Sequence, residues 1–203
     1  MHSSRSEYTR ARERLANVRN TLQGSARAKL SGAERFGKRP VILGKVSFRL
    51  DGKAFFGDWF MAEGRVLAIA ISVSKAATLS IGNYVFMNAG TSIEAWHDVQ
   101  IGDNVLMAPS ASIIDDDRHE VEPGADMYKG PTIVENNVWL GRHVTVMPGV
   151  TVGNGSVIGA NSVVTRGIPP NSFAAGSPAR VIRKLEMPGG WARYPASGHA
   201  GND

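Results

Sequence analysis

Aliphatic side chains return every six residues along the second half of the chain: Val134, Leu140, Val146, Val152, Ile158 and Val164 fill six consecutive units without exception. Four positions after each stands a small or β-branched residue, Val138, Val144, Val150, Ser156, Ser162 and Ile168. Glycine follows the aliphatic directly at Gly141, Gly153 and Gly159. Neither the 3.6-residue period of a helix nor the alternation of a hairpin sheet produces this repeat. A period of six lays one short strand and one turn per hexad, and three hexads close a triangular coil of a parallel β-helix with the aliphatic pointing inward. Glycine after the aliphatic suits a corner because it enters positive-φ conformations, and the small residue four on fits the cramped interior of the next corner.

The same ladder appears earlier as Ile81, Met87 and Ile93, and resumes after two extra residues, within Trp96 to Gln100, as Ile101, Met107 and Ile113. From Val41 to Val73 apolar residues are dense but the hexad is imperfect, and Gly44, Gly52, Gly57 and Gly64 mark irregular early coils. Residues 114–132, IDDDRHEVEPGADMYKGPT, abandon the repeat before it restarts at Val134, which predicts a protruding loop of the kind that carries function. Upstream, Tyr8, Ala11, Leu15, Val18 and Leu22 recur at three and four on an Arg-rich segment, predicting an amphipathic helix. Downstream of Pro169 and Pro170, the spacing of Val181, Ile182 and Leu185 predicts a short helix within 178–186 over the last coil's open edge. The expected division is a basic helical segment over 1–40, a β-helix over 41–177 with its loop at 114–132, and a C-terminal helix and tail over 178–203.

Charge is uneven. Residues 1–50 carry twelve Lys/Arg against three Asp/Glu, a net +9 that exceeds the whole chain's +5. A basic end suits acidic polymers, anionic surfaces or phosphate-bearing ligands, but with aromatics at 7% the chain lacks a stacking platform for nucleic acid, which is not an expected partner. No run reaches the ~18 apolar residues of a membrane span and no secretory signal opens the chain, so a cytoplasmic protein without stable membrane insertion is expected. The absence of cysteine removes disulfides, thiolate metal sites and a thiol nucleophile.

Four segments carry a resemblance: IGDNVLMAPS at 101–110, the MYxxP of Met127 to Pro131, NNVWLG at 136–141, and VIGANSVVTRGIPPNSFAAGSPARVIRKL at 157–185. Over about residues 80 to 185 the chain resembles the hexapeptide-repeat acetyltransferases, in particular the galactoside and maltose O-acetyltransferase group and its polysaccharide-modifying relatives. The resemblance implies a left-handed β-helix, acetyl-CoA as acyl donor, no metal, and a homotrimer with inter-subunit active sites. The first 40 residues do not resemble the sugar enzymes' usual N-terminal segment, which bears on the acceptor more than on the reaction.

Acetyl transfer from a thioester to a hydroxyl needs a base for the hydroxyl proton and a donor for the tetrahedral oxyanion. His119, in the loop, is the candidate base, since an imidazole titrates near neutrality and the family carries its catalytic histidine in this loop. Asp115 and Asp117 are candidates to orient it, with solvent-facing loop charges as the alternative. Asn88 matches the family's acceptor-contacting asparagine, and its amide can orient a hydroxyl or oxyanion; a turn-forming asparagine is the other reading. Trp96, Met127 and Tyr128 are candidates to line the acceptor side. For coenzyme A the matched positions are Gly141, Arg142, Ala160, Thr165, Arg166, Arg180 and Arg183, with arginine suited to bidentate phosphate contacts. Arg142 replaces the small residue usual at its position.

Asn88 and His119 lie 31 residues apart, and without the two-residue insertion this is one 18-residue coil and a further 11, so they fall on different faces. Contact of both with one acceptor then requires a neighbouring subunit. The expected activity is an O-acetyltransferase acting on a sugar, polysaccharide precursor or glycoconjugate. The alternatives are acetylation of an antibiotic, xenobiotic or amino-sugar amine on the same scaffold, and a zinc protein of the γ-carbonic-anhydrase kind using His97, His119 and His143. The three histidines' unlike hexad contexts weigh against the zinc reading.

Overall fold

The computed structural model describes residues 22–120, 122–124 and 129–193. Its strands are short and parallel and stack coil upon coil. The first face of the prism is a six-stranded sheet of Arg35–Phe36, Lys53–Phe56, Thr78–Ile81, Asp98–Ile101, Thr132–Val134 and Thr151–Val152. The second face stacks the start of Val41–Leu50 and of Met61–Val73 with Phe86–Met87, Leu106–Met107, Trp139–Leu140, Val157–Ile158 and Ser172–Gly176. The third stacks the ends of those two long strands with Ser92–Ala95, Ser112–Ile114, Thr145–Val146 and Val163–Val164. Parallel pairing around three faces makes a β-solenoid, consistent with the left-handed helix that the resemblance implies.

The inward ladder is as expected. Val134, Leu140, Val146, Val152, Ile158 and Val164 are each at most 1% exposed, and the residues four positions on are at most 6% exposed. Buried Ser156 and Ser162 satisfy themselves on backbone: Ser156 Oγ donates to the Pro169 carbonyl at 2.8 Å, and Ser162 Oγ to that of Gly159 at 2.7 Å.

Glycine serves the corners in a different way from the one expected. Gly141 is not in the positive-φ region; a Cβ there would lie 2.6 Å from the Ile158 carbonyl oxygen and 2.9 Å from the Ala160 nitrogen. It is needed for the close approach of the next coil. The left-handed residue comes two positions later, His143 at φ 55°, and this placement recurs at Tyr84, Asn104, Asn137 and Asn161. The first corner, between faces one and two, carries a further device. Backbone N–H groups of Lys38, Asp58, Asn83 and Asp103 donate in turn to the side chains of Asp58, Asn83, Asp103 and Asn136 on the next coil, at 2.6–2.8 Å.

Coiling begins at Arg35, not Val41, because Phe36 stacks on Phe56 (centroids 4.3 Å apart) and meets Phe48 and Phe60 edge-on. This aromatic plug also explains why the hexad is imperfect in the early coils. Residues 22–29 are helical, with Ala28 buried and Arg27 Nη1 donating to the carbonyls of Ile42 and Gly44 at 3.1 and 2.8 Å; the rest of the predicted stripe, Tyr8 to Val18, lies outside the described residues.

The expected C-terminal helix is instead the strand Ala179–Lys184, antiparallel to Ser172–Gly176. The last rung of face two leaves unpaired backbone groups that an extended segment satisfies and a helix does not. Val181 and Ile182, β-branched, favour that choice. No described helix is long and apolar enough to cross a membrane.

Candidate functional site

The two irregularities of the repeat fall at one corner. The insertion at Trp96 and the loop after Ile114 both leave the third corner, between faces three and one, on successive coils. Asp115 joins them. Inward alternation continues one step past Ile113, so this side chain is fully buried, and its carboxylate accepts three consecutive backbone N–H groups: Trp96 at 2.8 Å, His97 at 2.9 Å and Asp98 at 2.7 Å. Both oxygens accept N–H groups of the insertion, which gives Asp115 a bracing role, and no hydrogen bond joins it to His119 among the described residues.

Two neighbours that the sequence reading did not select extend the brace. Asp116 Oδ2 lies 2.7 Å from His97 Nε2, and Asp116 Oδ1 accepts the Arg118 N–H. Burial raises the Asp116 carboxyl, but the His97 hydrogen bond, the Arg118 N–H and the charges of His97 and Lys129 outweigh it and hold the group below the usual aspartate value. The Arg118 guanidinium sits 3.6 Å from the centroid of the Trp96 ring, a cation–π contact worth about 0.5–2 kcal/mol. Trp96 is half-buried under it. The signal for Asp116 and Arg118 was their position in an acidic run directly after an inward strand residue.

His119 follows this brace and is exposed, without a hydrogen bond among the described residues. Asp117 is half-buried and likewise unbonded there. Met127 and Tyr128 lie outside the described residues. His97 is held by Asp116 at the third corner, whereas His143 is exposed at the second, and among the described residues no three His, Cys, Asp or Glu side chains gather as metal ligands.

The second corner, between faces two and three, carries Asn88, Gly141, Arg142 and Ala160 in one column. The Asn88 N–H donates to Met107, Ala108 to Leu140, Gly141 to Ile158 and Gly159 to Ala174. Asn88 Oδ1 accepts the Ala89 N–H at 2.7 Å, as a turn asparagine does, while its Nδ2 donates to no described residue. Thr165 and Arg166 occupy the third corner of a later coil, and Arg180 and Arg183 the closing strand. Arg142, Arg166, Arg180 and Arg183 are all exposed. The structure thus splits the candidates between two corners on either side of face three and the closing strand of face two, and does not bring Asn88 and His119 together within one protomer.

Faces differ in what they present outward. On face two, Val41, Met61, Phe86, Leu106, Trp139, Val157 and Phe173 stand in register as one apolar ladder, with Trp139 43% exposed. Face three presents Ser92, Ser112 and Thr145. A groove of about 670 Å³ on face one, lined in part by Phe55, Ser80, Gln100 and Ile133, includes none of the candidate residues.

Residues 131–166 match the model of the bacterial transferase hexapeptide (six repeats). The chain is 44% identical over 115 residues to galactoside O-acetyltransferase of Escherichia coli (strain K12), covering 55% of this chain and 57% of that protein. It is 43% identical over 91 residues to a putative acetyltransferase of Schizosaccharomyces pombe, covering 43% of this chain and 44% of that protein. The chain thus spans about half the length of the curated relatives it matches. Among solved structures, a hexapeptide-repeat containing acetyltransferase from Vibrio cholerae superposes with a TM-score of 0.60 at 23% identity, over 92% of this chain and 96% of that one. AntD, an N-acyltransferase from Bacillus cereus in complex with dTDP-4-amino-4,6-dideoxyglucose and coenzyme A, gives 0.67 at 20% identity, over 80% of this chain and 90% of that one. At such identities these likenesses establish a shared fold. The repeat, the coil geometry and the sequence relatives agree: the chain carries hexapeptide repeats coiled into a β-solenoid and is similar, over about half its length, to acetyltransferases such as galactoside O-acetyltransferase.

Proposed function

We propose that the chain is an acetyl-CoA-dependent O-acetyltransferase acting on a hydroxyl of a sugar, polysaccharide precursor or glycoconjugate, with His119 as general base. The observation that carries this reading is an exposed imidazole on a loop whose root is fixed by a buried carboxylate, the His97–Asp116 hydrogen bond and a cation–π contact. A base positioned by a rigid root, with its ring free, is what proton abstraction requires. The acceptor oxygen attacks the thioester carbonyl carbon, its proton passes to the imidazole, the C–S bond breaks, and the departing thiolate takes that proton. The products are an acetyl ester and free coenzyme A. No acyl-enzyme is needed.

Support for a site shared between copies comes from the separation of the two corners. Asn88, Gly141, Arg142 and Ala160 sit on one side of face three, and His119, Thr165 and Arg166 on the other. A three-fold arrangement sets the second corner of one copy against the third corner of the next, and the apolar ladder of face two gives adjoining surface to bury. Arg180 and Arg183 on the closing strand suit the phosphates of coenzyme A. The test is mass spectrometry of a saccharide panel incubated with acetyl-CoA. One added acetyl group with release of free thiol supports the reading. No mass change on any saccharide, or acetylation of amines alone, overturns it.

A further inference from the structure

Across the second corner the chain makes one departure from its tight turns. Where Val41–Leu50 passes from face two to face three with the single residue Lys45 between paired Gly44 and Val46, Met61–Val73 inserts Arg65, Val66, Leu67 and Ala68 between the matching Gly64 and Ile69. This bulge is anchored at both ends. Arg65 makes a two-pronged pair with Glu63, Nε to Oε1 at 2.7 Å and Nη2 to Oε2 at 2.6 Å, and the Leu67 carbonyl accepts the Gly90 N–H at 3.2 Å. The Leu67 side chain lies directly on Gly90, where a Cβ would come within 3.3 Å of it. Between the anchors Val66 is 85% and Leu67 54% exposed.

A fixed bulge that presents two aliphatics to solvent rests on Gly90, two residues along the chain from Asn88, whose Nδ2 is unengaged among the described residues. We infer that Val66 and Leu67 form the apolar wall of the acceptor subsite, selecting acceptors that carry an apolar group beside the reacting sugar hydroxyl, such as an alkyl aglycone or a lipid anchor. The inference rests on the proposed transferase reading. Asn88 then orients the sugar hydroxyl, the wall covers the aglycone, and discrimination follows from apolar burial, for which a single methylene in a full pocket gives about 10–200-fold selectivity.

The test compares matched methyl and hexyl glycosides of several sugars as acceptors, for the parent and the double variant Val66→Ser, Leu67→Ser. The expected result is a fall of about 10-fold or more in kcat/KM for hexyl glycosides, through KM, with methyl glycosides, the KM for acetyl-CoA and the oligomeric mass unchanged. Equal rates on the two series in the parent, or an equal loss on both in the variant, overturn the inference while leaving the transferase reading intact. A variant that loses its oligomeric mass assigns the bulge to contact between copies and also overturns it. A parent inert towards every pair overturns the transferase reading and this inference with it. Both substituted side chains are exposed, so a retained melting temperature verifies the fold.

Discussion

The His97 imidazole and the Asp116 carboxylate meet at 2.7 Å, tying the first turn of the loop after Ile114 to an insertion one coil earlier. Because the folded Asp116 carboxyl is held below its ordinary value, its stabilising effect is present above the unfolded value of about 3.9 and is lost as pH falls through the lower folded one. The loop root is therefore expected to loosen in acid, below about pH 4, before the coils do. Hydrogen exchange across residues 115–120 checks this, and Asp116→Asn should abolish the acid dependence at neutral-pH exchange rates above those of the parent.

Asp115 holds three N–H groups with one buried carboxylate. Asp115→Ala leaves them unsatisfied and is expected to cost about 2–4 kcal/mol, a fall of several degrees in Tm, with Asp115→Asn recovering part of it. Calorimetry of the two variants decides; an unchanged Tm for Asp115→Ala contradicts the bracing role.

His119 is exposed, so His119→Ala should fold and melt like the parent. As general base its loss is expected to reduce kcat by about 10²–10⁴-fold with the affinity for coenzyme A retained. Transfer at the parent's rate refutes the assignment.

Gly141→Ala forces a methyl group against the Ile158 carbonyl oxygen and the Ala160 nitrogen of the next coil. Destabilisation of about 1–3 kcal/mol is expected, together with weaker binding of coenzyme A, since Arg142 and Ala160 share that corner. Thermal unfolding and titration calorimetry measure the two effects.

Most of the fold was legible because an inward aliphatic returns every six residues without a break from Val134 to Val164. The brace at the loop root was partly legible: alternation past Ile113 places Asp115 inside, but no count says which backbone groups it meets, since those belong to an insertion 17 to 19 residues earlier. The Asx ladder of the first corner was also present as glycine followed by Asp or Asn at 58, 83 and 103, yet its hydrogen bonds exist only once coils stack. The C-terminal strand was misread because Val181, Ile182 and Leu185 fit a helix locally, and the deciding interaction is non-local, the unsatisfied edge of Ser172–Gly176. The separation of Asn88 from His119 followed from counting alone.

Parallel coils offer an open growth front at each end, onto which another molecule's coil can add without limit. Here the reversed strand Ala179–Lys184 covers the face-two edge of the last coil, and the helix at 22–29, with Arg27 bonded to the Ile42 and Gly44 carbonyls, lies against the face-two edge of the first. Ends covered in this way disfavour end-on fibre growth.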